Sequence, residues 1–206
     1  MPALQERTYL EPQAPDEVRL EAVLHQPGSG TDAAVAVCHP HPQYGGDMDN
    51  YVVAAICGSL VDAGIAALRF NFRGTGGSAG VYGGGEAEVR DLQLALRWLS
   101  EDRKFVRLAA CGYSFGALVA NRARDVAAIA CVSPANPVVA TDVPTLIVIG
   151  DSDQFMPAEK LRAFAEQHEG VSLEVFRGDD HFWPVALDAA AGTVSSFLKR
   201  HLEGED

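Results

Sequence analysis

Val106-Arg107-Leu108-Ala109-Ala110-Cys111-Gly112-Tyr113-Ser114-Phe115-Gly116 carries an apolar run through a glycine-flanked turn into the small-residue stretch Ala117-Leu118-Val119-Ala120. The pattern predicts a strand over 106–111, a sharp turn at Ser114 and a helix over 115–124. Glycine stands two positions before and two after the serine, where a strand and helix meeting at so tight a turn leave no space for side chains. This is G-x-S-x-G in the strand–turn–helix setting that gives the motif its meaning. Without that setting the bare pattern is common. The turn lifts the serine hydroxyl clear of the backbone and aims the first helical N–H groups at the same point.

The same alternation continues on both sides of this stretch. Ala33–Cys38, Ile65–Phe70, 126–132 and Thr145–Ile149 are apolar runs, broken only by Arg69 and opened by Thr145 in the last, as expected for strands covered on both faces. Residues 18–25 alternate, with Val18, Leu20, Ala22 and Leu24 on one side, and predict a half-buried strand. Arg7–Leu10 reads as an edge strand beside it, and Val171–Phe176 as a strand near the other edge. Helical spacing appears at Val52, Val53, Ile56, Cys57, Leu60 and Val61, and again at Val89, Leu92, Leu96 and Leu99. Pro157 and Pro184 are each expected to open a further helix. Strands alternating with helices predict an α/β fold, a mostly parallel sheet flanked by helices, as one domain over residues 1–206. In such folds ligands sit beyond the carboxyl ends of the strands.

Composition narrows the function. With 16 Lys and Arg against 28 Asp and Glu the chain carries a net charge of −12, which argues against nucleic acid and anionic membrane surfaces as partners. The longest apolar runs fall well short of the roughly 20 residues of a membrane span. The leading Met1–Arg7 segment is polar, unlike a secretory signal, so a cytoplasmic location is expected. Cys38, Cys57, Cys111 and Cys131 form no C-x-x-C pair and read as buried, reduced thiols.

Ser114 needs a base to become nucleophilic. His25, His168 and His201 read as solvated surface. His181 follows the last strand and precedes a helix, at the end of the sheet where a base could reach Ser114. A third group must hold the imidazole, and Asp151 and Asp153 both follow the strand 145–149. Asp179 and Asp180 read as solvated loop carboxylates. His39-x-His41 could suggest a metal pair with Asp47 and Asp49, but Gln43 stands where a further ligand would be needed and the prolines constrain both rings, so no metal is expected. Gly74-x-Gly76-x-x-Ala79 lacks the helix that a dinucleotide fingerprint requires at once, so no cofactor is expected. Arg73 reads either as a pin for this loop or as an exposed side chain.

The order Ser114, Asp, His181, together with His39-Pro40-His41-Pro42-Gln43-Tyr44-Gly45-Gly46 and Asn71-Phe72-Arg73-Gly74-Thr75-Gly76-Gly77-Ser78, resembles the α/β-hydrolase superfamily over nearly the whole chain. It is similar in particular to the small bacterial hydrolases related to dienelactone hydrolase. The resemblance implies the α/β-hydrolase fold without a lid domain, because only about a dozen residues separate the strands 126–132 and 145–149. It implies Asp153 rather than Asp151 as the acid, since Gly150, Asp153, Met156 and Pro157 match the family's G-x-x-D-x-x-[VM]-P pattern. It further implies an oxyanion hole built from the Phe115 and His41 N–H groups, with the Gln43 or Tyr44 N–H as alternatives to that of His41. The expected activity is a serine hydrolase of small carboxylic esters or thioesters, with peptidase or lactone hydrolase activity, or a non-catalytic binding protein on the same fold, as alternatives. Tyr44, Tyr82, Phe155, Phe182 and Trp183 are the expected pocket residues, and a homodimer through the edge strand or last helix is the assembly this reading allows.

Overall fold

The structure is a computed structural model that describes residues 4–203, so part of the leading segment Met1–Arg7 lies outside the described residues. The strands are β1 (Leu4–Leu10), β2 (Leu20–Gln26), β3 (Ala33–Cys38), β4 (Ala66–Phe70), β5 (Arg107–Tyr113), β6 (Ile129–Val132), β7 (Thr145–Gly150) and β8 (Val171–Phe176). The helices are α1 (Tyr51–Asp62), α2 (Glu86–Glu101), α3 (Phe115–Ala120), α4 (Ala158–Gln167) and α5 (Leu187–Glu203). One eight-stranded sheet runs in the order β1-β2-β4-β3-β5-β6-β7-β8. β1 and β2 are antiparallel to their neighbours, and every pairing from β4 onward is parallel.

Two apolar layers follow from the strand period of two. Ala34, Ala36 and Cys38 of β3 face one layer with α2, α3 and α4. Val35 and Val37 face the other with α1 and α5. Covering both faces explains the apolar strands, and each fully buried Leu or Phe side chain contributes about 1.5–3 kcal/mol. The segment between β6 and β7 is a loop with no lid, tied down where Asn121 bonds both the N–H and the C=O of Val139 at 2.7 and 3.2 Å.

Several local expectations need correction. β2 is buried on both faces rather than one, because it is flanked by β1 and β4 and its second face is covered as well. His25 is therefore buried, not solvated, and its Nε2 accepts from Arg69 Nε at 3.0 Å. Burial, reinforced by the Arg69 charge, pulls its pKa down to about 4. α3 stops at Ala120 rather than running to Arg124, and its continuation is a series of turns. Pro157 precedes α4 as its cap, and α5 begins at Leu187, after Pro184.

The turn at Ser114 depends on backbone-to-backbone contact. A Cβ on Gly112 would lie 2.0 Å from the Gly116 carbonyl oxygen, and one on Gly116 would lie 2.3 Å from that of Cys38. Gly116→Ala is therefore expected to cost roughly 3 kcal/mol in denaturant unfolding. Gly192→Ala in α5, where an added Cβ meets nothing within 4 Å, should be neutral or stabilise by up to about 1 kcal/mol. Equal midpoints for the two variants would contradict this account of the turn.

Candidate active site

Each side chain singled out from the sequence sits after a strand's carboxyl end. Ser114 follows β5, Asp153 follows β7, His181 follows β8 and His41 follows β3. β3 has β4 on one side and β5 on the other, so the chain reverses its winding there and opens a crevice above the sheet. Ser114 holds φ 57° and ψ −116°, a sparsely populated conformation for a residue with a side chain. Such strain costs on the order of 1–3 kcal/mol and persists only where the surroundings enforce it.

The structure brings three of the expected residues into one hydrogen-bonded line. His181 Nε2 lies 2.9 Å from Ser114 Oγ, and His181 Nδ1 lies 2.8 Å from Asp153 Oδ2. With Nδ1–H donating to the carboxylate, Nε2 is the acceptor for the serine hydroxyl. The second carboxylate oxygen accepts the N–H groups of Phe155 at 2.9 Å and Met156 at 3.2 Å. Burial works to raise the Asp153 pKa, but the bonds from His181, Phe155 and Met156 outweigh it and hold the carboxyl below its ordinary value. Asp151 is exposed and accepts instead from the Gly178 N–H at 3.0 Å, bracing the loop after β8.

That loop is held from several sides by residues the sequence reading did not single out. Asp179, expected to be solvated, is fully buried and accepts from the Val185 and Ala186 N–H groups. Its carbonyl abuts Gly150, where a Cβ would sit 2.2 Å away. Asp180 accepts from the Phe182 N–H at 2.7 Å. Tyr113 donates to the His181 carbonyl at 2.8 Å, and Tyr51 donates to the next carbonyl, that of Phe182. Nothing in the sequence flagged Tyr51.

The loops after β3 and β4 brace each other. The Met48 N–H donates to Asn71 Oδ1 at 2.9 Å, and Asn71 Nδ2 donates to Glu21 at 2.9 Å. Arg73 is buried in an ion pair with Asp91 at 2.7 Å, so it pins the glycine-rich loop and is not exposed. Glu21 falls on the polar side of the alternating run 18–25, so the sequence carried no signal for its burial.

A cleft of about 710 Å³ opens over Ser114 and His181. Tyr44, Phe155 and Phe182 line it, and Tyr44 is 88% exposed at its rim. His41 and Phe115 also line it. Tyr82 lies in a smaller adjoining cavity of about 300 Å³, sharing the His41 and Phe115 wall, and its hydroxyl is 3.2 Å from His41 Nε2. Trp183 is corrected: it is only 3% exposed and packs edge-on against Phe176 in the core beside α5. Its φ of 54° turns the chain inward just after His181. Among the described residues no three His, Cys, Asp or Glu side chains converge as a metal site. No helix among them is long and apolar enough to cross a membrane. All four cysteines are buried and free, and burial raises each thiol above its ordinary pKa.

The sheet order and the turn at Ser114 define an α/β hydrolase of the serine hydrolase class. Residues 16–143 match the family described as X-Pro dipeptidyl-peptidase (S15 family), and the chain belongs to that family. The matched span holds Ser114 and ends before Asp153 and His181. The chain is 30% identical over 202 residues to an uncharacterised protein of Rickettsia prowazekii, covering 88% of this chain and 85% of that one. Among solved structures it is similar to an α/β serine hydrolase homologue from Coxiella burnetii, at 32% identity and TM-score 0.80, covering 96% and 97% of the two chains. It is similar also to a serine hydrolase without a lid from Xanthomonas campestris, at 26% identity and TM-score 0.87, covering 100% and 99%.

The lowered pKa of Asp153 links the site to stability. A carboxyl with a depressed folded-state pKa stabilises the fold above its unfolded value, and that contribution is lost as pH falls through the folded value. Asp153→Asn should thus be less stable than wild type at pH 7 and pH 5 by the same margin. The margin should narrow only below about pH 4, the ordinary carboxylate range. Urea unfolding of both proteins across this range measures it, and a margin independent of pH would contradict the assignment.

Proposed function

We propose that Ser114, His181 and Asp153 act as a catalytic triad that hydrolyses esters or thioesters of small carboxylic acids. The observation that carries this reading is the unbroken line of hydrogen bonds from the serine hydroxyl through the imidazole to the carboxylate, at 2.9 and 2.8 Å, opening on an apolar cleft. His181 Nε2 takes the Ser114 proton as the oxygen attacks the substrate carbonyl. Asp153 holds the ring in the required tautomer and stabilises the imidazolium. The N–H groups of Phe115 and His41 stabilise the oxyanion; neither has an acceptor within the chain among the described residues. His181 then protonates the leaving alcohol or thiol, and water cleaves the acyl-enzyme by the same steps in reverse order. No cofactor or metal takes part in these steps, and the expected partner is a small-molecule substrate. This mechanism matches the resemblance to the hydrolases related to dienelactone hydrolase.

The family description also brings dipeptidyl-peptidase activity into question as a second reading. Release of an N-terminal dipeptide calls for a carboxylate to receive the substrate's ammonium group, since a desolvated charge needs a partner. The residues lining the cleft include no Asp or Glu. Ester or thioester cleavage therefore fits the cleft better.

Fluorophosphonate labelling and a panel of p-nitrophenyl esters, acyl-CoA thioesters, lactones and Ala-Pro-p-nitroanilide test the reading. Wild type is expected to label and to turn over esters or thioesters far faster than the anilide. Ser114→Ala should abolish labelling and lower kcat by about 10⁶-fold. Asp153→Asn should lower it by about 10⁴-fold, with Asp151→Asn close to wild type. Labelling that survives Ser114→Ala, or a crippled Asp151→Asn, would overturn these assignments.

A further inference from the structure

The proposed mechanism gives no task to His39, although it is the first residue of the His-Pro-His-Pro loop and is completely buried. Both its ring nitrogens are engaged. Nε2 accepts the Phe72 N–H at 3.0 Å, which leaves the ring proton on Nδ1, and Nδ1 lies 2.6 Å from the carbonyl oxygen of Pro40. Burial pulls its pKa down to about 4, against the raising effect of the Pro40 carbonyl, so the ring is neutral near pH 7. A buried neutral imidazole with both nitrogens occupied is neither a second base nor a metal ligand.

What it does hold is one peptide plane. The Pro40 carbonyl and the His41 N–H belong to the same peptide unit, which is planar and trans, so they point in opposite directions. Fixing the oxygen against the His39 ring fixes the direction of the His41 N–H as well. The surroundings reinforce this. Gly46 sits against the same carbonyl, where a Cβ would lie 2.2 Å from the oxygen, and the His41 carbonyl accepts the N–H groups of Tyr44 and Gly46 at 3.1 and 3.0 Å. Prolines on either side of His41 restrict rotation of the loop. His41 itself meets the cleft that holds Ser114.

We propose that His39 is a positioning residue that aims the His41 N–H at the developing oxyanion, by holding the Pro40–His41 peptide through its Nδ1–H. The inference rests on the proposed ester-hydrolysing reading of the site. It also explains how a loop with proline at position 40 can supply a donor: the N–H that proline lacks is provided by the next residue, and the proline carbonyl serves as the handle that orients it. The Phe72 N–H on the far nitrogen sets the tautomer that makes the handle work.

Asparagine and glutamine separate this role from simple packing. An Asn side chain places an amide N–H where the histidine has Nδ1, and a Gln places its amide nearer Nε2. His39→Asn should therefore keep the Pro40 contact, and His39→Gln should lose it. In the full chain, His39→Asn is expected to retain kcat on p-nitrophenyl acetate within about tenfold of wild type. His39→Gln should lose about 10²–10³-fold in kcat and a similar factor in affinity for a trifluoromethyl ketone, with KM little changed, as expected when one oxyanion donor is misdirected. The His41 backbone amide resonance reads the peptide orientation without turnover. It should stay near its wild-type position in His39→Asn and move in His39→Gln. Equal losses in the two variants, a better Gln than Asn, or a His41 amide unmoved in His39→Gln would each overturn the inference. An active-site reading that is itself wrong would show instead as wild type without Ser114-dependent turnover, whatever the amide resonances do.

Discussion

The whole site depends on a place where side chains are absent. At Gly112 and Gly116 the end of β5, the start of α3 and the end of β3 approach within backbone contact, with no room for a methyl group at either glycine. This contact bends the chain tightly enough to hold Ser114 in its strained conformation. It also seats the first turn of α3 directly against the Cys38 and His39 carbonyls, so the loop after β3 begins beside the serine. A larger residue at either glycine would separate Ser114 from the loop that faces it.

The remaining parts of the site are carried on loops, and each loop is tied to a different element. The loop after β8 is fastened by Asp179 to its own later N–H groups, by Tyr113 to β5 and by Tyr51 to α1. The loop after β3 is fastened to the loop after β4 through Met48, Asn71 and Phe72. The loop after β4 is fastened in turn to β2 by Glu21 and to α2 by Asp91. Short loops on a rigid sheet need such anchors to keep hydrogen-bonding groups within a few tenths of an ångström of one another's reach. Glu21, Asn71, Arg73, Asp91 and Asp179 are buried polar side chains that serve as such anchors, each with hydrogen-bond partners that offset the cost of burying it.

Much of this architecture was legible in the residues. Apolar runs marked the doubly covered strands, and the glycine spacing around Ser114 marked the turn. Chain order placed His181 within reach. Asp153 was separated from Asp151 only by resemblance, and the structure brings Asp153 to the imidazole while Asp151 faces solvent. What could not be read was long-range polar pairing. His25 looks like a polar strand end and is buried by Arg69, a partner far away in sequence. Asp179 looks like a loop carboxylate and is buried by N–H groups several residues later. Trp183 looks like a pocket aromatic, but a left-handed turn sends it into the core. In each case the deciding partner is a backbone group or a distant side chain, which periodicity and composition do not encode.

The order of the chain carries one more consequence. In chain order, β3, β4, β5 and the turn at Ser114 all precede β7 and β8. The carboxylate, the imidazole and the helix that backs them all arrive in the last third of the chain. The contacts that hold the turn also come early in the chain: Gly116 packs against the Cys38 carbonyl, and the Ser114 N–H donates to the Val132 carbonyl at 2.9 Å. The turn is thus built by the first two thirds of the described chain, while the last third brings the imidazole and carboxylate that line up with Ser114.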